Sequence, residues 1–244
     1  GKFNGSNITD VITSTGTDAD ASRQIKWTLD TPTLQAYDFA PTTPKLTMGS
    51  AVSSIAADDN FTISAWVYMD AIDERPLFGL NAETDDHWIQ FTNATVMGFK
   101  GTDAAVSLTH GLTISTGSWQ HVVITRASSN TVTVYLNGIA GGTTLTWNEA
   151  FAPDAIGTSN NGTRQYFDGR IAQVAIWDDV ALPEAQVRSI YIQGLSFDIE
   201  TTADDALTNL ETGLVHYWVL DGGVSDSKGS NHLTASSDCT ATGI

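Results

Sequence analysis

The stretch Glu83-Thr84-Asp85-Asp86-His87-Trp88 holds the residue types of hydrolytic chemistry. If it is extended, Glu83, Asp85 and His87 share one face, because side chains alternate along a strand. Two carboxylates on one face can cleave a glycosidic bond: one protonates the leaving oxygen and the other attacks or activates water. Here the closing acid is missing, since position 88 is Trp, and Asn81-Ala82 reads as a loop tip. A solvated acidic loop is the expected identity. Asp70-Ala71-Ile72-Asp73-Glu74-Arg75 fails the same pattern, and its Asp73, Glu74 and Arg75 read as a charged turn. Cys239 lies in a Ser/Thr-rich tail without an organised histidine, and no G-x-S-x-G elbow is present. His87, His110, His121, His216 and His232 are scattered, with no i, i+4 zinc pair. The aromatics offer binding instead. Trp66, Trp88, Trp147 and Trp177 are of the type that stacks on sugar faces, with Asn and Asp nearby to fix hydroxyls. Trp88 and Trp147 have the most polar neighbours and are the expected glycan-stacking residues. Trp66 and Trp119 are assigned to the core.

The elements that would position these groups are mostly strands. In Phe61–Met69, Phe61, Ile63, Ala65, Val67 and Met69 share one face, and Thr62, Ser64, Trp66 and Tyr68 share the other. Large groups on both faces predict a strand covered on both sides, or one with Trp66 at a rim. Trp119–Arg126 reads as a central strand. Thr131–Asn137 turns Val132, Val134 and Leu136 inward, and Asn137-Gly138 supplies positive-φ turn chemistry. Ile171, Val174 and Ile176 sit in an apolar run that ends at Trp177. Leu182–Gly194 is the one good helix: Pro183 suits its first position, Glu184 its positive end, and Gly194 its stop. Val187, Ile190 and Tyr191 fall on one face of it. Phe197–Thr212 is Asp/Thr-rich and reads as a linker, and Gly16–Ala21 as a loop.

Composition narrows the function classes. The chain has 244 residues, 41% hydrophobic and only 16% charged, which suits one large sheet-rich domain. Its 28 acids against 11 bases give a net charge of −17. Such a surface repels a phosphate backbone, so nucleic acid is not an expected partner. It suits solubility or calcium. A single cysteine excludes an internal disulfide. No run approaches the ~18 apolar residues of a membrane span, so membrane insertion is not expected. No signal peptide is visible.

The order of elements then has a precedent. A strand Phe61–Met69, a strand entered through Trp119, a hairpin closed at Asn137-Gly138, a strand led by Asp168-Gly169, and one short helix together resemble the laminin-G-like (concanavalin A-like) jelly roll. The segment Leu214–Asp221 with Asp226-Ser227-Lys228-Gly229 resembles the opening strand of many such domains, placed here at the far end. Its W-x-L-D core, Trp218–Asp221, echoes Trp27–Asp30. The resemblance implies an all-β, antiparallel two-sheet jelly-roll β-sandwich with one short helix. The expected organisation is an N-terminal arm over 1–33, the jelly roll over 34–197, and a segment over 198–244 adding a strand to the same sandwich. Calcium at the sandwich edge is implied with Asp168 as a ligand and Asp38 as its neighbour, although an Asx turn at a strand start explains Asp168 equally. Retaining laminarinase-like enzymes carry E-x-D-x-x-E, which Glu83–Trp88 lacks. The function so implied is a non-catalytic structural or binding module. It is displayed on a virion surface or outside a cell, with surface glycans, capsid or other structural subunits, or further copies of itself as partners. A glycoside hydrolase or polysaccharide lyase of the same fold is the alternative, as is a bacterial surface lectin or adhesin domain.

Overall fold

A computed structural model of the chain describes residues 34–39, 42–52, 55–82, 84–160, 164–201 and 209–244. The expected arm, its loop at Gly16–Ala21, the first W-x-L-D copy and Glu83 lie outside the described residues. The strands are β1 (Gln35–Phe39), β2 (Leu46–Met48), β3 (Phe61–Met69), β4 (Arg75–Gly79), β5 (Trp88–Asn93), β6 (Val96–Lys100), β7 (Val106–Thr109), β8 (Trp119–Ala127) and β9 (Thr131–Leu136). They continue as β10 (Ile139–Ala140), β11 (Leu145–Thr146), β12 (Ala155–Ile156), β13 (Thr158–Asn160), β14 (Arg164–Tyr166), β15 (Gly169–Asp178), β16 (Leu214–Trp218), β17 (Leu233–Ala235) and β18 (Cys239–Gly243). The helix α1 is Glu184–Gln193.

The strands form two large antiparallel sheets. The first runs β10-β9-β8-β3-β15-β1-β18, with β11 added to β9 and β16 to β15; the second runs β17-β2-β12-β4-β5-β6-β7. A small β13–β14 hairpin forms a third sheet, packed against β4. The main core lies between the sheets. From the first sheet it takes Phe61, Ile63, Val67, Ile124 and Ile171, and from the second Phe78, Ile89, Phe91 and Phe99. The jelly-roll sandwich expected from the sequence is therefore present, with its alternating faces in place.

The first sheet is covered on its outer side as well. Val187 and Ile190 of α1 join Trp177, Tyr135, Leu214 and Tyr217 in a second apolar cluster. The presumed linker takes part, because Ile199 and Leu210 are buried there and Trp177 Nε1 donates to the Leu210 carbonyl at 2.6 Å. Pro183 is the cap before the helix rather than its first residue, with extended ψ 154°. Gly194 ends the helix at φ +80°, its N–H reaching the carbonyls of Ile190 and Tyr191. Asn137 and Gly138, at φ +52° and +76°, make the β9–β10 turn.

The C-terminal segment is shared between both sheets. β16 pairs with the far half of β15, β17 with β2, and β18 with β1. Trp218 is fully buried and donates to the Asn231 carbonyl at 2.9 Å. The D-S-x-G motif explains how the chain turns there. Asp226 Oδ1 accepts the backbone N–H groups of Tyr217, Lys228 and Gly229, and Oδ2 accepts that of Asn231 and bonds His216 Nδ1 at 2.6 Å. One carboxylate thus ties the end of β16 to the loop beyond it.

Candidate functional site

The acidic stretch forms no catalytic pair among the described residues. Residues 84–87 are not a strand, and His87 sits at φ +50°, which breaks the alternation needed to share a face. Asp85 Oδ1 accepts Trp88 Nε1 at 2.8 Å, and Oδ2 is 2.7 Å from Lys100 Nζ. Both oxygens have structural partners. His87 Nδ1 accepts the Ala152 N–H at 3.3 Å. Other nucleophiles are closed off too. Burial first, then the charge of Asp38, pushes the Cys239 thiol up to about 12, so no thiolate forms near neutrality. Ser64 Oγ and His121 Nε2 lie 2.8 Å apart, but the histidine is wholly buried and burial holds it down at about 3. That pair is packing under Trp66, whose ring centroid is 5.1 Å from the imidazole's.

The two expected stacking tryptophans are not on the surface. Trp147 is 2% exposed and packs among Phe61, Phe99 and Phe151, with the Arg126 guanidinium 5.7 Å away. Trp88 is also 2% exposed. It lies against Gly98, where a Cβ would stand 2.9 Å from the indole. Their polar chain neighbours misled, because polarity along the chain does not say which way one side chain turns. Trp119 also differs from expectation: it is half-buried on the outer face of the first sheet, not in the core.

Asp168 and Asp38 each stand beside an arginine. Asp168 Oδ2 is 3.5 Å from an Arg75 nitrogen, and the Asp168 carbonyl accepts the Asp70 N–H at 2.9 Å. Asp38 stands opposite Arg170. Among the described residues no three His, Cys, Asp or Glu side chains gather in one place. The Asp-Gly pair has a backbone reason instead. Gly169 takes φ +134°, and a Cβ there would fall 2.0 Å from the Tyr68 carbonyl oxygen.

Asp38 belongs to a different constellation. Five successive strands put one residue each into a single cross-strand row: Trp119 pairs with Tyr68, Tyr68 with Arg170, Arg170 with Asp38, and Asp38 with Thr240. Directly paired residues point to the same face. Tyr37, Phe39, Val67, Met69 and Ile171, their chain neighbours, point into the core, so this row points outward. Trp119, Tyr68, Arg170 and Asp38 are half-buried and Thr240 is exposed. The Tyr68 and Trp119 ring centroids are 5.9 Å apart in an edge-to-face pair. The guanidinium of Arg170 lies 4.7 Å from the Tyr68 centroid. The next row along the strands, with Ala172, Trp66 and His121, is sealed beneath Tyr191. An aromatic surface thus adjoins a donor, an acceptor and a hydroxyl on a rigid sheet. That arrangement can stack on the apolar face of a sugar and bond its hydroxyls. The sequence placed Tyr68 on the non-core face of its strand together with Trp66, and only the register of the neighbouring strands separates the half-buried Tyr68 from the buried Trp66.

The fold is an antiparallel two-sheet sandwich. Residues 41–188 match the concanavalin A-like lectin/glucanases superfamily, and the chain belongs to that superfamily. Two solved structures share the fold. A putative carbohydrate binding protein from Bacteroides ovatus is 18% identical with a TM-score of 0.62; the match covers 87% of this chain and 60% of that one. The native heptameric SAP-like pentraxin from Limulus polyphemus is 14% identical with a TM-score of 0.57, over 87% of this chain and 95% of that one. This chain therefore spans under two thirds of the Bacteroides protein. No curated protein matches the chain. Among the described residues no helix is long and apolar enough to cross a membrane.

Proposed function

We propose that the chain is a non-catalytic glycan-binding module that uses the outer face of its first sheet. The observation that carries this reading is the row Trp119–Tyr68–Arg170–Asp38–Thr240, which combines ring faces with hydrogen-bonding groups on neighbouring strands. The Bacteroides neighbour, a putative carbohydrate binding protein on the same fold, supports the class. A role without catalysis is supported by Asp85, whose carboxylate is held by Lys100 and Trp88. Display outside a cell or on a virion is part of the proposal.

A glycan array probed with the wild-type chain and with Trp119→Ala tests the reading. Retention of at least one glycan class by the wild type, lost by more than tenfold in the variant, is expected. Equal retention by both places the binding elsewhere. Release of reducing ends from any retained glycan overturns the non-catalytic assignment.

A further inference from the structure

We infer that this face takes an extended oligosaccharide lying across the strands, not a single terminal sugar. The inference rests on the glycan-binding reading and deepens it. Four interstrand steps separate Trp119 from Thr240. At the usual spacing of about 4.8 Å the row is about 19 Å long. That length matches several sugar rings end to end and exceeds one.

The chemistry also changes along the row. Trp119 and Tyr68 supply ring surface at one end. Arg170 follows, braced on Tyr68, and its Nε is buried without a hydrogen-bond partner. Asp38 adds an acceptor, and the exposed Thr240 adds a hydroxyl at the far end. A single ring on Trp119 would leave Asp38 and Thr240 unused. A chain of rings engages stacking first and hydrogen bonding after it.

The covered side of the row sets the direction. Tyr191 and Leu195 pack over the adjoining row that holds Trp66 and Ala172, so they raise a wall parallel to Trp119–Tyr68–Arg170. A ligand laid along that wall runs perpendicular to the strands. One laid along a strand would collide with it. The ligand class is therefore an unbranched stretch of at least three or four rings, as a polysaccharide backbone offers.

Calorimetric titration of the whole chain with gluco-, xylo- and manno-oligosaccharides of one to six rings tests this. Affinity in the accepted series is expected to rise at least tenfold between the disaccharide and the tetrasaccharide and then to level. Asp38→Ala and Thr240→Ala should each lower tetrasaccharide affinity several-fold and disaccharide affinity by clearly less. Thr240 is exposed at the surface, so its variant keeps the comparison if Asp38→Ala destabilises the sheet. A monosaccharide that binds as tightly as the tetrasaccharide overturns the inference while leaving glycan binding intact. Equal losses for short and long ligands in Thr240→Ala overturn it as well. No binding in any series, together with a blank array, overturns both.

Discussion

Asp226 shows how much one side chain can organise. Burial alone would raise its pKa, but the His216 hydrogen bond and the backbone N–H groups of Gly229, Tyr217 and Asn231 outweigh burial and hold it at about 2. Replacing it with Asn leaves donors facing an amide that cannot accept them all, at an expected cost of about 3 kcal/mol. Urea denaturation of Asp226→Asn measures it. The pH dependence follows from the sign of the shift. A carboxyl whose folded pKa lies below its unfolded value stabilises above about pH 4 and loses that contribution as pH falls toward 2. His121 acts earlier. Its folded pKa near 3 lies below the unfolded 6.5, so its contribution is full above 6.5 and fades as pH falls from there toward 3. The urea midpoint should therefore begin to drop below about pH 6.5, and His121→Gln should flatten the upper part of that decline. Asp168 adds a further expectation. With its carboxylate beside Arg75, calcium or chelator should leave the melting temperature unchanged. A calcium-dependent rise that disappears in Asp168→Ala would restore the metal site.

At the scale of elements, β15 is the strand on which the candidate face depends. Its first half pairs with β1 and its second half with β16. The change of neighbour falls at a bulge between Ala172 and Ala175, where Gln173 takes φ +50° and Tyr217 Oη donates to Gln173 Oε1 at 2.8 Å. The strand opens at Gly169, pressed against the Tyr68 carbonyl. Gly169→Ala is expected to cost about 2–4 kcal/mol by combining strain with the clash. It should also weaken glycan binding, because it shifts Tyr68 and Arg170 together. Thermal melts and titration on the same sample check both. Much of this level was legible in the sequence. Period-two alternation identified β3 and β9, and Asn137-Gly138 and Gly194 marked a turn and a stop through their backbone freedom. The bulge was not legible, since Gln173 carries no turn signature of its own. The binding row was not legible either. It is assembled from five strands scattered between residues 38 and 240, and register between distant strands leaves no local trace. Asp38 was singled out, but for a metal rather than for its place beside Arg170.

The whole molecule depends on its last thirty or so residues. β16 and β18 complete the first sheet and β17 extends the second, so both layers need this segment. A strand added by this segment was the expectation, and its buried Trp218 and Tyr217 are what pairing protects. A chain ending at Gly213 would expose the Ala175 and Trp177 edge of β15 and the flank of β1, and is expected to aggregate or fail to melt cooperatively. A truncated chain that stays monomeric with an unchanged melting temperature would contradict this. Nuclear magnetic resonance locates a bound glycan residue by residue. Tryptophan indole and backbone signals would be followed while the best-retained oligosaccharide is titrated into the wild-type chain. Trp119, Tyr68, Arg170 and Thr240 are expected to shift in a saturable way while the buried Trp88 and Trp147 do not. Shifts confined to Trp88 and the β13–β14 side, with Trp119 unmoved, would contradict binding at this row.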